Sequence, residues 1–174
     1  MKQLFTHKKI KKRIKSIAKD ITSEYPADQP LVLIVVLNGA YMFASDLSKS
    51  IARDCYIEFV KVSSYHDSME SSNQIDLVLE FKTRPEYENA HFLIVEDIVD
   101  TGNTVTFLQE YLEKFNPRSI GVASLLWKNK GCKTPDFYCF EVDKNDFVIG
   151  RGLDYKGQYR SLLNIYKVTN IESL

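Results

Sequence analysis

The hydrophobic positions of the chain first recur with the spacing of a helix. Aliphatic residues return every three or four positions between lysines, which predicts an amphipathic helix over roughly residues 7–24. The buried face of this helix would consist of Ile10, Ile14, Ile17, Ala18 and Ile21.

A continuous apolar run, Leu31–Leu37, follows and has the length of a buried strand. The pair Asn38-Gly39 then predicts a turn. Phe43, Leu47 and Ile51 have the spacing of the inward face of a helix. This order predicts a strand–turn–helix unit.

Strand-like and helix-like segments also alternate in the middle of the chain. A helix is predicted over Val105–Phe115, and strands over Cys55–Val62, Ile75–Phe81, Phe92–Val95 and Ile120–Leu126. Such alternation predicts an α/β fold with a doubly wound, mostly parallel sheet, in a single domain over residues 1–174. The tail, with Phe147–Ile149, predicts short strands and loops added to that sheet.

Composition narrows the function classes. Lysine plus arginine and aspartate plus glutamate both number 23, so the formal charge is zero, whereas nucleic-acid binders usually carry a basic surplus. Cys55, Cys132 and Cys139 form an odd set without C-x-x-C spacing, which favours free thiols over disulfides or zinc. The longest apolar run is too short for a membrane span. We therefore expect a cytosolic protein that binds neither nucleic acid nor membrane.

The residues with the clearest chemistry follow the strand Phe92–Val95. They read Glu96-Asp97-Ile98-Val99-Asp100-Thr101-Gly102-Asn103-Thr104 and lead into a helix. Open α/β sheets bind ligands at this edge, and a glycine turn before a helix can direct backbone N–H groups at a phosphate. Two adjacent acids at a strand end need a partner, which magnesium and ribose hydroxyls would provide. The chain lacks the P-loop pattern G-x-x-x-x-G-K-[ST] and the dinucleotide-binding pattern G-x-G-x-x-G. Asp97 and Asp100 do not have the D-x-D spacing of haloacid-type hydrolases, so these three kinds of phosphate site are excluded.

The run V-E-D-I-V-D-T-G-N-T at 95–104 resembles the 5-phosphoribosyl diphosphate motif of type I phosphoribosyltransferases. The likeness extends to the hypoxanthine-guanine phosphoribosyltransferases through V-L-N-G-A-Y-M-F at 36–43, L-L-W-K at 125–128 and F-V-I-G-R-G-L-D-Y at 147–155. The resemblance implies the type I fold, with a small base-binding hood formed by the terminal segments. It also implies magnesium-dependent transfer of the 5-phosphoribosyl group to a 6-oxopurine, and assembly as a homodimer or homotetramer.

The same resemblance implies a role for individual residues. Asp100 would accept the purine proton, and Glu96 and Asp97 would hold the ribose hydroxyls and magnesium, with Asp154 on a second magnesium. The remaining substrate-binding residues are Thr101, Gly102, Asn103 and Thr104 for the 5′-phosphate, Lys128, Phe147 and Val148 for the purine, and Asn38, Gly39, Ser64, Tyr65 and Arg160 for the diphosphate.

Further expectations concern three loops. The Leu37–Asn38 peptide should be cis. The polar segment His66–Gln74 should be a mobile lid, with Ser64 and Tyr65 immediately before it in the chain. Asn38 stands where many relatives have lysine or arginine, and Arg151 where an aromatic residue is common. Two alternatives stay open: a regulator that senses 5-phosphoribosyl diphosphate, and an enzyme of the same fold that uses xanthine or a pyrimidine.

Overall fold

The computed structural model describes residues 1–65 and 74–170. Three helices are α1 (His7–Glu24), α2 (Tyr41–Ser48) and α3 (Asn103–Glu113), and a short 3-10 turn covers Pro85–Tyr87. The nine strands of the described residues are β1 (Lys2–Phe5), β2 (Leu31–Leu37), β3 (Tyr56–Tyr65), β4 (Gln74–Leu79), β5 (His91–Val99), β6 (Ser119–Lys128), β7 (Phe137–Val142), β8 (Val148–Ile149) and β9 (Ile165–Lys167).

Six strands form the main sheet in the order β4-β3-β2-β5-β6-β7. All neighbours are parallel except β4, which is antiparallel to β3. The chain goes from β2 to β3 on one side and returns to β5 on the other, so the turns after β2 and β5 diverge and leave a crevice between them. The mostly parallel α/β fold expected from the sequence is confirmed.

Both faces of the sheet are covered, which explains the apolar runs of its central strands. Residues such as Leu33, Leu93 and Val95 face α1 and α2. Ile34 and Phe92 face α3 and the aromatic residues beside it. The helix predicted over residues 7–24 is confirmed: it begins after Thr6, whose Oγ1 accepts a hydrogen bond from Lys9 N (3.3 Å).

The terminal strands correct one expectation. The tail with Phe147–Ile149 was expected to add short strands to the main sheet, but β8 pairs with β9, and β9 with β1, in a separate three-stranded sheet of order β1-β9-β8. This small sheet is the hood, because it joins the first strand of the chain to the last two. β1, β7 and β9 were not predicted from the sequence. Within the described residues, no helix combines the length and apolar character that a membrane span requires.

Candidate active site

The two adjacent carboxylates lie inside β5. β2 pairs with β5 only as far as Val35 with Val95, whereas β6 continues to pair with β5 as far as Val99. Glu96 and Asp97 are therefore residues of the strand itself. The prediction that they follow the strand was wrong. The backbone can continue past the end of the β2 pairing because β6 still satisfies it on the other side.

Burial acts strongly on both carboxylates. Glu96 is only 9% exposed, and no described residue donates a hydrogen bond to its Oε2. Burial, and then the charge of Asp97, raise the pKa of Glu96 well above its usual value. Burial also raises the pKa of Asp97 to about 6, although the Ile98 N–H (2.8 Å) and the charge of Arg160 act against this. The unsatisfied Oε2 of Glu96, beside the Asp97 carboxylate, suits a hydroxyl donor or a cation, although the described residues contain no group of three acidic, histidine or cysteine side chains placed to hold a metal ion.

Gly39 is held closely between both sides of the crevice. A Cβ at Gly39 would overlap the Asp97 carboxylate. A Cβ at Gly152, whose φ is +105°, would overlap the Gly39 carbonyl oxygen. The Leu37–Asn38 peptide just before this turn is cis, so that prediction is confirmed. Asn38 itself is exposed.

The predicted phosphate site forms a cradle at the start of α3. Gly102 adopts φ +84°, a left-handed conformation that suits glycine, and its carbonyl accepts from Thr106 N (2.9 Å). A cavity of about 80 Å³ is lined by Glu96 and residues 98–105. The cradle thus presents hydroxyl side chains and the N-terminus of an eleven-residue helix to one small cavity.

Asp100 lies between two lysines. Its Oδ2 is 3.1 Å from Lys128 Nζ, and its Oδ1 is 2.6 Å from Lys130 Nζ. Partial burial raises the pKa of Asp100, but the contacts with Lys130 and Lys128 outweigh this and lower it. Lys128 was expected to face the purine, and its Nζ pairs with Asp100. Lys130 was not predicted, since no motif marks a lysine two residues beyond the strand.

The remaining predicted residues lie on the hood side. Phe147 is 37% exposed and packs edge-to-face on Tyr155, with ring centroids 5.8 Å apart. Val148 lies in β8 with its side chain buried. Arg160 pairs with Asp154 (2.8 Å), and the charges of both act on Asp97. Arg160 and Asp154 therefore lie within electrostatic reach of the Asp97 carboxylate.

Arg151 is almost fully buried, at 3% exposure. Its guanidinium forms an ion pair with Asp46 of α2 and lies 3.4 Å from His7 Nδ1. The departure from an aromatic residue therefore ties the loop after β8 to α2 and to the start of α1. The predicted lid His66–Gln74 lies outside the described residues apart from Gln74, and Ser64 and Tyr65 are described only as the backbone end of β3.

Comparisons with known proteins agree with this geometry. The family model for a phosphoribosyl transferase domain matches residues 1–156. A hypoxanthine-guanine phosphoribosyltransferase of Aquifex aeolicus is 35% identical over 97% of this chain and 94% of its own length. The chain belongs to the hypoxanthine-guanine phosphoribosyltransferase family. A second member, from Bacillus subtilis, is 38% identical over 92% of this chain and 89% of its own length.

Solved structures of the family have the same fold. A hypoxanthine phosphoribosyltransferase of Staphylococcus aureus superimposes with a TM-score of 0.88 at 32% identity and covers 97% of this chain and 91% of its own. A Trypanosoma cruzi hypoxanthine phosphoribosyltransferase variant, in a ternary complex with substrates, has a TM-score of 0.86 at 38% identity, over 97% of this chain and 95% of its own.

Asp97→Asn should stabilise the metal-free protein more at pH 8 than at pH 5. The folded-state pKa of Asp97, about 6, lies above the ordinary 3.8, so the folded protein binds this proton more tightly than the unfolded chain does. The stability that the proton gives is complete below pH 3.8 and is lost as the pH rises through 6. Asparagine does not ionise, so the variant does not lose this stability. The gain in unfolding free energy should therefore shrink by about 1–2 kcal/mol between pH 8 and pH 5. Urea unfolding with a chelator present measures it, with Asp76→Asn, an exposed aspartate on β4, as control. An equal gain at both pH values would contradict the assignment.

Gly39→Ala should fold but lose affinity for 5-phosphoribosyl diphosphate, the ligand that the motif predicts. The added methyl group must displace the Asp97 carboxylate, and a side-chain end can rotate away at little cost to folding. We expect at least about a tenfold rise in Kd, equivalent to about 1.4 kcal/mol, by isothermal titration calorimetry. Urea unfolding is the control for folding. An unchanged Kd would show that Asp97 does not need this position.

Proposed function

We propose that this chain transfers the 5-phosphoribosyl group of 5-phosphoribosyl diphosphate to hypoxanthine or guanine, giving IMP or GMP and diphosphate. The observation that carries the proposal is the order of groups along β5 and the start of α3. The carboxylates of Glu96 and Asp97 come first, Asp100 with its lysine partners follows, and the phosphate cradle completes the run. The names of the relatives support it, as does a Trypanosoma cruzi relative whose structure holds IMP.

The sugar-phosphate half is bound by groups of matching chemistry. The hydroxyls of Thr101 and Thr104, with backbone N–H groups at the start of α3, donate to the 5′-phosphate. Glu96 and Asp97 accept from the ribose 2′ and 3′ hydroxyls. Glu96 and Asp97 are also the residues that would hold magnesium, and Asp154 would hold a second magnesium; the metal would offset the charge of the departing diphosphate. Asn38 and Gly39 offer the leaving group backbone donors, and Arg160 offers its guanidinium.

The purine half uses the other side of the crevice. Lys128 donates to the 6-oxo group, the Phe147 ring stacks on the base, and the Val148 main chain reads its edge. The bond from the anomeric carbon to diphosphate breaks as the bond to purine N9 forms. The proton on N7 then passes to the carboxylate of Asp100, whose pKa the two neighbouring lysines lower.

Assembly and location belong to the same proposal. We infer a homodimer or homotetramer that uses the groove between α2 and β3, where Tyr41, Ile57 and Phe59 are each more than 40% exposed. Light scattering distinguishes the two states.

A cytosolic location is supported by the three cysteines, all of which are free thiols.

The direct test measures diphosphate release from 5-phosphoribosyl diphosphate with each of hypoxanthine, guanine, xanthine, uracil and adenine. We expect turnover with hypoxanthine or guanine, with magnesium required.

Asp100→Asn should lower kcat by about 10²–10⁴-fold, because it removes the proton acceptor while keeping the shape. Turnover with uracil alone, or none at all, would overturn the function, and an unchanged kcat would remove Asp100 from the mechanism.

Lys128→Met should separate the two substrates. The change deletes the donor to the 6-oxo group, so the KM for the purine should rise about tenfold or more, whereas the KM for 5-phosphoribosyl diphosphate should change less than about threefold. Lys133→Met, at an exposed lysine of the following loop, is the control for lost charge. Equal damage to both KM values would contradict this division of the site.

A further inference from the structure

The Asp100 carboxylate has a separate cation on each oxygen. Lys128 Nζ lies 3.1 Å from Oδ2 and Lys130 Nζ lies 2.6 Å from Oδ1. The proposed function assigns Lys128 to the purine and assigns nothing to Lys130. The shorter of the two ion pairs therefore has no role in the reaction as described so far.

The two lysines differ in how they reach Asp100. The Lys128 side chain is 11% exposed at the end of β6, whereas that of Lys130 is 33% exposed and comes from the turn beyond the strand. This turn is fixed by its own contacts. Lys130 N donates to the Lys128 carbonyl (2.9 Å), and Cys132 Sγ lies 3.4 Å from the Asp100 carbonyl oxygen. Residues 128–132 therefore wrap around Asp100 and hold Lys130 beside it.

Purine binding requires something of both members of the Asp100–Lys128 pair. The 6-oxo group needs a hydrogen bond from Lys128, and the N7 proton needs an oxygen of Asp100 as its acceptor. If Lys128 were the only cation on Asp100, the base would have to compete with that ion pair. A second cation on Oδ1 leaves Oδ2 free to face the base while the carboxylate stays held.

We propose that Lys130 is a positioning residue that holds Asp100 through Oδ1, so that Lys128 can turn from Asp100 to the 6-oxo group of the purine. This inference rests on the proposed function, because it assigns a task within the same reaction. Lys130 acts through Asp100 and does not touch the substrate.

Loss of Lys130 should affect the purine side alone. In Lys130→Met, Lys128 stays drawn to Asp100, so the KM for hypoxanthine or guanine should rise about 2–5-fold, in the range expected for a partly exposed ion pair. The KM for 5-phosphoribosyl diphosphate should stay the same. Lys130→Arg keeps a cation on Oδ1 and should restore the purine KM. Lys133→Met removes one charge from the same loop and should leave both KM values as in the wild type.

The pH profile gives a readout that a merely structural role would not change. The groups that face Asp100 are Lys128 from β6 and Lys130 and the Cys132 thiol from the turn, and Glu96 lines the same small cavity. Lys130 lowers the pKa of Asp100. The acid limb of kcat/KM for the purine should therefore move to higher pH in Lys130→Met and return in Lys130→Arg.

Steady-state kinetics of the full chain, with saturating magnesium, decide the question. A selective rise of the purine KM with the shifted acid limb, restored by arginine, supports the role of Lys130. Kinetics of Lys130→Met that match those of Lys133→Met, or equal damage to both substrates, overturn it while the proposed function stands. Absence of wild-type turnover overturns the proposed function itself, and the inference with it.

Discussion

Two like charges on neighbouring residues of a buried strand are the constraint around which this site is built. Glu96 and Asp97 would each be more stable in water, and the charge of Asp97 adds to the cost at Glu96. The fold can bear this cost because the rest of β5 is an apolar strand, paired on both sides along its first half. The site is thus poised for ligands that carry cations or hydroxyl groups, since these remove the cost.

Local patterns predicted the elements that have one clear periodicity. The bounds of α1 and of β2, Leu31–Leu37, agree with those predicted, because helical spacing and an unbroken apolar run each have one interpretation. β5 extends four residues beyond its predicted end, because two acids look like the end of a strand when the pairing by β6 is not known. β1 is four residues long and half polar, and only its pairing with β9 makes it a strand.

The same distinction applies to the site. The run from Glu96 to Thr104 is contiguous in sequence, so its chemistry could be predicted from the residues and the family resemblance. Arg151 and Asp46 lie 105 residues apart, and their buried ion pair exists only because the hood folds back on α2. Lys130 becomes significant only through the turn that brings it to Asp100, 30 positions away, and no local pattern indicates that contact.

The contact between Gly152 and Gly39 limits how the substrate range of this enzyme can be altered. The hood and the main sheet approach so closely there that a methyl group on Gly152 would overlap the Gly39 carbonyl oxygen. A redesign that shifts the hood must therefore leave this point fixed, whereas the half-exposed Phe147 beside β8 can be replaced without moving it. The geometry thus favours changes of side chains on the hood over a change in the width of the crevice.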